Sequence, residues 1–248
     1  MVRLLVTRPE PDASETAARL NALDIEAVIE PLLIAETLAT GLPEAAGFAA
    51  MAVTSANALR ALEDRGELRR FLGLPLYAVG DRTAAVARNY GFAKIISAQG
   101  SLDDLVALLA KAGIGGPVFY PAARHQSGDL GKALAPHGVM AITTPVYDMR
   151  PAEELSENLR ADLAADALDG ALFYSRRTAD TFVSLVRGVD SSPRLRMLCL
   201  SESIAEPLIA AHFVRVSLAD HPSEEAMMSL ALSFARDRKQ GMMAQGRI

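Results

Sequence analysis

VTSANALRAL, residues 53–62, runs from an apolar stretch through a Thr-Ser-Ala-Asn turn into apolar residues at helical spacing. FYSRRTADTF, residues 173–182, does the same: strand, serine, short polar turn, helix. The likeness continues downstream. Gly80 opens GDRTAAVARNYG 25 residues after Ser55, and Ser201 opens SESIAEPLIAAH 26 residues after Ser175. Ser101 follows Gly80 by 21 residues and Ser223 follows Ser201 by 22, each heading a last helix (SLDDLVALL and SEEAMMSLA). Two similar α/β units are the natural inference, and a chance match between β-α modules is the competing explanation.

Outward from these stretches, short apolar strands alternate with amphipathic helices, the pattern of parallel α/β sheets with right-handed crossovers. RLLVT reads as a strand, Asp12 and Glu15 stand at capping-box spacing before a helix to about Leu23, and EAVIEPLLIAET returns as a strand. LYAVG, AKIIS, PVFYPAA and AITTPVYDM follow as strands, with a helix near Leu130 to Pro136. After Met149 come a helix from Ala152 to about Leu163, the strands GALFYS, RMLCLS and VRVSLA, and a helix from about Ser223 to Arg236. The C-terminal unit lacks strands unless RLLVTRP and the first half of AVIEPLLIAET join it. The expected division is therefore a discontinuous domain of residues 1–33 and 150–236, a second domain of 34–149, and a polar tail, 237–248, that frays. Two chain crossings would form a narrow two-stranded ladder, a hinge that leaves an open cleft.

The chain has 248 residues, half of them hydrophobic, and a formal charge of −5, so nothing global attracts it to nucleic acid or to a membrane surface. MVRLLVTRP is too short an apolar run for a signal peptide, no run is long enough to span a bilayer, and the cytoplasm is the expected compartment. The single cysteine, Cys199, lies within the apolar MLCL and reads as core, which excludes an internal disulfide and a cysteine-pair metal site. His125, His137, His212 and His221 lack ligand spacing. GIGGP, at 113–117, precedes a strand rather than opening a helix, and no phosphate loop or G-x-S-x-G elbow is present. No metal or cofactor is called for.

What remains is polar residues at strand C-termini, where open α/β sheets bind ligands. Arg8 follows RLLVT, Ser55 and Asn57 follow MAV, Gly80 and Thr83 follow LYAV, Ser175, Arg176 and Arg177 follow ALFY, and Ser201 and Ser203 follow MLCL. Each precedes a helix start, whose free N–H groups and dipole attract carboxylate or phosphate. Each also has a plainer reading. Ser55, Ser175 and Ser203 are capping candidates; Gly80 suits a tight turn; Arg8 suits a surface charge; Arg176 and Arg177 suit pairing with Asp180; Tyr147 suits a domain edge with its hydroxyl in water. Capping and ligand binding are compatible, because a capped helix still offers its other N–H groups.

Taken in order, VTRP, VTSANAL, AVGDRTA with YGF, FYPAAR, PVYDM, FYSRRTADTF and HPSEEAMMSLA resemble the uroporphyrinogen-III synthase family from about Leu4 to Leu232. The resemblance implies two Rossmann-like or flavodoxin-like parallel-sheet domains joined by a two-stranded β-ladder, the first discontinuous. It implies a cofactor-free monomer that closes hydroxymethylbilane, an open-chain tetrapyrrole with eight carboxylates, to uroporphyrinogen III. Loss of the terminal hydroxyl gives an azafulvene, attack at the substituted carbon of ring D gives a spiro intermediate, and re-closure inverts that ring. Hydroxymethylbilane synthase is the implied transient donor of the substrate. Tyr147 matches the tyrosine that assists hydroxyl loss, Thr83 a cleft threonine, and Gly80 a close approach to a carboxylate; Arg8, Ser55, Asn57, Arg124 and Ser175 lie in substrate-contacting motifs. One loop departs: where the family reads Gly-x-Thr-Thr-Ala, this chain has Ser201-Glu202-Ser203-Ile204-Ala205, with Ser203 the expected stand-in for the lost threonine. One hydrogen bond fewer costs about 1 kcal/mol. The departure motivates a second reading, a non-catalytic tetrapyrrole-binding or regulatory module; a nucleotide-binding enzyme is a third, disfavoured by the missing phosphate motifs.

Overall fold

The computed structural model describes residues 1–98, 100–126, 128–187 and 195–245, with side chains through 240. In chain order the elements begin with β1 (Val2–Val6), α1 (Asp12–Asn21), β2 (Ile25–Ile29), β3 (Leu33–Thr37), β4 (Ala50–Val53), α2 (Ala56–Asp64), β5 (Leu76–Ala78), α3 (Asp81–Asn89) and β6 (Ile95–Ser97). They continue through α4 (Leu102–Lys111), β7 (Val118–Ala123), α5 (Leu130–Leu134) and β8 (Ala141–Pro151). The last are α6 (Glu157–Ala164), β9 (Gly170–Phe173), α7 (Arg176–Leu185), β10 (Arg196–Cys199), α8 (Glu202–Ala210), β11 (Val216–Leu218) and α9 (Glu224–Gln245).

These elements form two compact units: a discontinuous one, Met1–Ile34 with Arg150–Ile248, and a continuous one, Ala35–Met149. The discontinuous unit has a sheet in the order β11-β10-β9-β1-β2, every pair parallel. The continuous unit's sheet runs β3-β8-β7-β4-β5-β6, parallel from β8 through β6. The Leu38 N–H donates to Val146 O and the Ala152 N–H to Leu32 O, so partner numbers fall on β8 as they rise on β3 and that pair is antiparallel. The chain thus passes between the units twice, through two strands that pair with each other.

The echo seen in the sequence is a topological one. β4-β5-β6 and β9-β10-β11 are three successive strands laid side by side, and in each unit a further pair, β7-β8 or β1-β2, extends the sheet on the other side. That pair comes last in the continuous unit and first in the discontinuous one. Helices cover both faces of each sheet, so β4 (AMAV) and β9 (GALF) are buried at all four positions and read as apolar runs rather than alternations. Gly170 lets β9 lie close to its neighbours: a Cβ there would meet Arg196 O at 2.8 Å and Leu4 Cδ2 at 3.1 Å.

Some element boundaries differ from the sequence reading. EAVIEPLLIAET is two strands, because Pro31, without an N–H, interrupts the ladder and lets β2 pair with β1 while β3 pairs with β8. The capping box expected at Asp12 and Glu15 does not form: Pro11 is the N-cap of α1, and Asp12 accepts instead from Arg8 at 3.0 Å. α6 starts at Glu157 behind its cap Ser156, later than expected. α9 runs past Arg236 to Gln245, into the stretch expected to fray, through residues of good helix propensity and anchored by Arg238 Nε to Asp169 at 2.9 Å; residues 246–248 lie outside the described residues.

Candidate active site

In an open parallel sheet the binding crevice forms where strand order reverses, outside the strand C-termini. In the continuous unit that point lies between β4 and β7. A cavity of about 290 Å³ sits there, lined by Thr54, Ser55, Tyr120, His125 and Tyr147 among others. β4 delivers the first two. Ser55, extended at φ −152° and ψ 141°, is the N-cap of α2, its hydroxyl accepting from the Asn57 N–H at 3.2 Å. Thr54 Oγ1 lies 2.9 Å from the Tyr120 hydroxyl.

Tyr147 reaches the cavity because of an irregularity in β8. Register with β7 is regular from Val118↔Ala141 to Ala122↔Pro145 and then jumps to Ala123↔Tyr147, leaving Val146 as an extra residue. Ala141 faces α4 and α5, in a cluster with Val118, Tyr120, Leu105 and Leu130. Strict alternation would put Tyr147 on that same face. The bulge turns it to the other, where Val146 and Tyr147 both pack with Leu59 and Leu62 of α2 and Ala84 and Ala87 of α3. Tyr147 is 6 % exposed. Burial pushes its phenol above the ordinary tyrosine range, against a hydrogen bond from Ser55 that favours the phenolate. Burial does the same to Tyr120, opposed by its hydrogen bond with Thr54. Both phenols are proton donors at neutral pH.

The loop after β7 adds charge. The Arg124 N–H donates to Tyr147 O at 2.8 Å, tying the loop to the tyrosine's own strand. Asp148, 7 % exposed, has Oδ1 3.2 Å from His125 Nδ1 and Oδ2 3.6 Å from an Arg124 guanidinium nitrogen. Burial alone would raise the Asp148 carboxyl, but the His125 hydrogen bond, the Met149 N–H and the Arg124 charge outweigh it and hold it below the usual carboxylate range.

Of the expected site residues in this unit, Ser55 and Tyr147 line the cavity, whereas Asn57, Gly80, Thr83 and Arg124 do not. Asn57 accepts from Arg60 at 2.6 Å and approaches the Met149 sulfur at 3.7 Å. Gly80 is the N-cap of α3 in extended backbone at φ −157°, which discards the tight-turn reading, and a Cβ built on it meets nothing within 4 Å. The glycine leaves open space where its neighbours do not require any. Thr83, in the first turn of α3, is buried.

In the discontinuous unit the reversal lies between β1 and β9, and it is filled. Arg8, 9 % exposed, lies 4.1 Å over the Tyr174 ring and donates to Glu224 at 2.5 Å, Asp12 at 3.0 Å and Thr16 at 3.1 Å. The Tyr174 hydroxyl donates to the same Glu224. The surface-charge reading of Arg8 is thereby excluded, and its guanidinium is already met by two carboxylates. Ser175 caps α7, accepting from the Thr178 N–H at 3.2 Å. Ser203 is not a cap: Ser201 holds that position, and Ser203 Oγ lies 3.1 Å from Ser201 Oγ. Arg176 pairs with Glu206 across to α8 rather than within α7. Ile204 is buried in the apolar cluster with Phe173, Phe182 and Leu208, so the departure at this position supplies core packing.

Sequence reasoning did not single out Thr54, Tyr120, His125 or Asp148 as site residues. Tyr120 lies in the quoted FYPAAR, four residues before Arg124, and Asp148 in PVYDM, next to Tyr147, so nearness to a named residue was the available signal.

The chain is a two-unit parallel-sheet α/β protein, one unit carrying phenols and a capped helix start around the cavity at its reversal point. The family model described as uroporphyrinogen-III synthase HemD matches residues 14–229. The chain belongs to the uroporphyrinogen-III synthase family, and its activity is that of a cyclising lyase on hydroxymethylbilane. Among solved structures it is similar to the uroporphyrinogen-III synthetase of Helicobacter pylori, at 19% identity and TM-score 0.66 over 94% of this chain and 99% of that one. It is also similar to a mutant uroporphyrinogen III synthase from the extremely thermophilic bacterium Thermus thermophilus, at 17% identity and TM-score 0.57 over 97% and 100%. At these identities the likeness is one of fold. No curated protein sequence matches the chain. No helix among the described residues is long and apolar enough to cross a membrane.

Proposed function

We propose that Tyr147 is the proton donor for loss of the terminal hydroxyl of hydroxymethylbilane, and that ring closure with inversion of ring D is organised around the cavity it lines. The observation that carries this reading is a buried phenol, kept protonated by its surroundings, turned by the β8 bulge into the cavity at the sheet's reversal point. Its O–H bond breaks as the proton passes to the hydroxymethyl oxygen; the C–O bond breaks, water leaves, and the azafulvenium cation remains opposite the phenolate. Ser55, hydrogen-bonded to Tyr147, stabilises the phenolate that results. The later steps need the terminal carbon held against ring D and water kept away, which is positioning rather than covalent catalysis.

The cavity is at the lower limit of pockets that hold a drug-sized ligand, about 300 Å³. It therefore takes one end of the bilane. Asn57, Gly80, Thr83 and Arg124 of the continuous unit, and Ser175 and Ser203 of the discontinuous unit, are proposed to meet carboxylates of the remainder, with Arg8 acting there only if it exchanges one of its present partners. Cytoplasmic location, a monomeric state and transient hand-over from hydroxymethylbilane synthase complete the reading; spontaneous closure of the bilane to isomer I is what makes hand-over useful.

Incubation with hydroxymethylbilane, oxidation and separation of the porphyrin isomers tests it. Isomer III is expected, and isomer I alone would sink the reading. Tyr147→Phe is expected to fold normally and to lower the rate by on the order of 10², the usual worth of a positioned acid. An unchanged rate removes Tyr147 from the chemistry.

A further inference from the structure

The walls of the cavity formed by Thr54, Ser55, Tyr120 and Tyr147 are neutral, yet hydroxymethylbilane carries eight carboxylates. Among the described lining residues, one can supply a positive charge: His125. Its imidazole is largely exposed, but it is not loose. Nδ1 lies 3.2 Å from Oδ1 of Asp148, a carboxylate buried on β8 and held ionised by His125, the Met149 N–H and Arg124. An acceptor-only carboxylate at Nδ1 makes that nitrogen the N–H donor and leaves Nε2 for a ligand. The Arg124 N–H bond to Tyr147 O fixes the start of this loop to the strand that carries the tyrosine, one residue from Asp148. Histidine, phenol and serine are thus held around one cavity by adjacent backbone.

We propose that His125 binds one carboxylate of the bilane as an imidazolium at the mouth of the cavity, and that Asp148 is its positioning residue. The inference rests on the reading of this cavity as the active site. A charge-assisted contact of this kind is stronger than a neutral one, and it tells a carboxylate-bearing side chain from an apolar one. The titratable and charged groups around His125 are Asp148 on β8, Arg124 next to it in the chain, the Tyr120 and Tyr147 phenols in the same cavity, and Asp129, whose charge acts on Tyr120.

Binding of the octacarboxylate uroporphyrin III, followed by fluorescence titration between about pH 5.5 and 8.5, tests this without requiring turnover. Wild-type affinity is expected to fall as pH rises through the histidine range. His125→Gln is expected to bind roughly ten-fold more weakly at the acid end, with that fall removed; His125→Lys is expected to bind tightly and without it. Asp148→Asn is expected to weaken binding in the wild-type background but not in His125→Gln, a dependence on His125 that a purely structural loss would not produce. If His125→Gln binds like wild type at every pH, or keeps the wild-type pH dependence, the inference is wrong. Isomer III formation by the wild type is read separately: its absence alongside His125-dependent binding overturns the function and leaves this inference standing, and its presence with His125-independent binding does the reverse.

Discussion

Replacing Ser55 by glycine separates the two uses of its hydroxyl. Alanine at an N-cap costs about 1 kcal/mol and glycine only a few tenths, whereas both remove the partner of the Tyr147 phenol. Ser55→Gly is therefore expected to keep the wild-type free energy of unfolding in urea within a few tenths of a kcal/mol while losing isomer III rate; a full rate in that variant would reduce Ser55 to a cap. Asp148 offers a pH test. Its folded-state carboxyl ionises below the ordinary range, so the stability it contributes is complete above about pH 4 and is lost as pH falls through the folded-state value. Denaturant midpoints of wild type and Asp148→Asn should differ at pH 7 and converge on acidification. The residues legible in the sequence were those whose place follows from local pattern: Ser55 and Ser175 at strand-to-helix turns, and Tyr147 in a strand-end motif. Tyr120 reads as one more residue of an apolar strand, and Asp148 as the polar neighbour of a tyrosine. The state of Arg8 was hidden by distance, because the carboxylate that holds it, Glu224, is 216 residues away.

At the scale of elements, the β8 bulge decides which side of the sheet Tyr147 serves. Inserting one alanine between Ala122 and Ala123 of β7 gives Val146 a partner, restores strict alternation along β8 and is expected to send the phenol to the α4–α5 face, abolishing isomer III formation more completely than Tyr147→Phe does. An insertion protein with native far-UV dichroism and wild-type rate would show that the bulge does not aim the side chain. Nothing in AITTPVYDMRP marks an extra residue, since a bulge in a parallel pair is a property of two strands and only one was in view. The split of 26–37 into β2 and β3 was signalled by Pro31 but masked by the apolar residues on both sides. The end of α9 was misjudged for the opposite reason: polar composition suggested fraying where helix propensity is good and Arg238 finds Asp169.

At the scale of the molecule, the apolar clusters respect the division of the chain. Two draw their buried members from residues of the discontinuous unit and two from the continuous one. Residues 35–149 expressed alone are therefore expected to fold cooperatively in urea, with an m-value smaller than that of the whole chain, and to make no isomer III. A segment that stays unfolded would show that its cores do not suffice. The doubled layout was legible because strand-serine-helix modules recur at nearly equal spacing, whereas strand order is a pairing property and had to be seen.

The placing of β1 and β2 has a consequence during synthesis. They leave the ribosome before the continuous unit, but β1's other neighbour, β9, starts only at Gly170, after the whole continuous unit has been made. At roughly 5–20 residues per second that delay is on the order of 10 s. Throughout it Leu4 and Val6, fully buried in the finished protein, belong to a two-stranded pair too small to be stable by itself. The β1–β2 pair is thus the segment a ribosome-bound chaperone would have to shield, while the later-made continuous unit can finish folding before it.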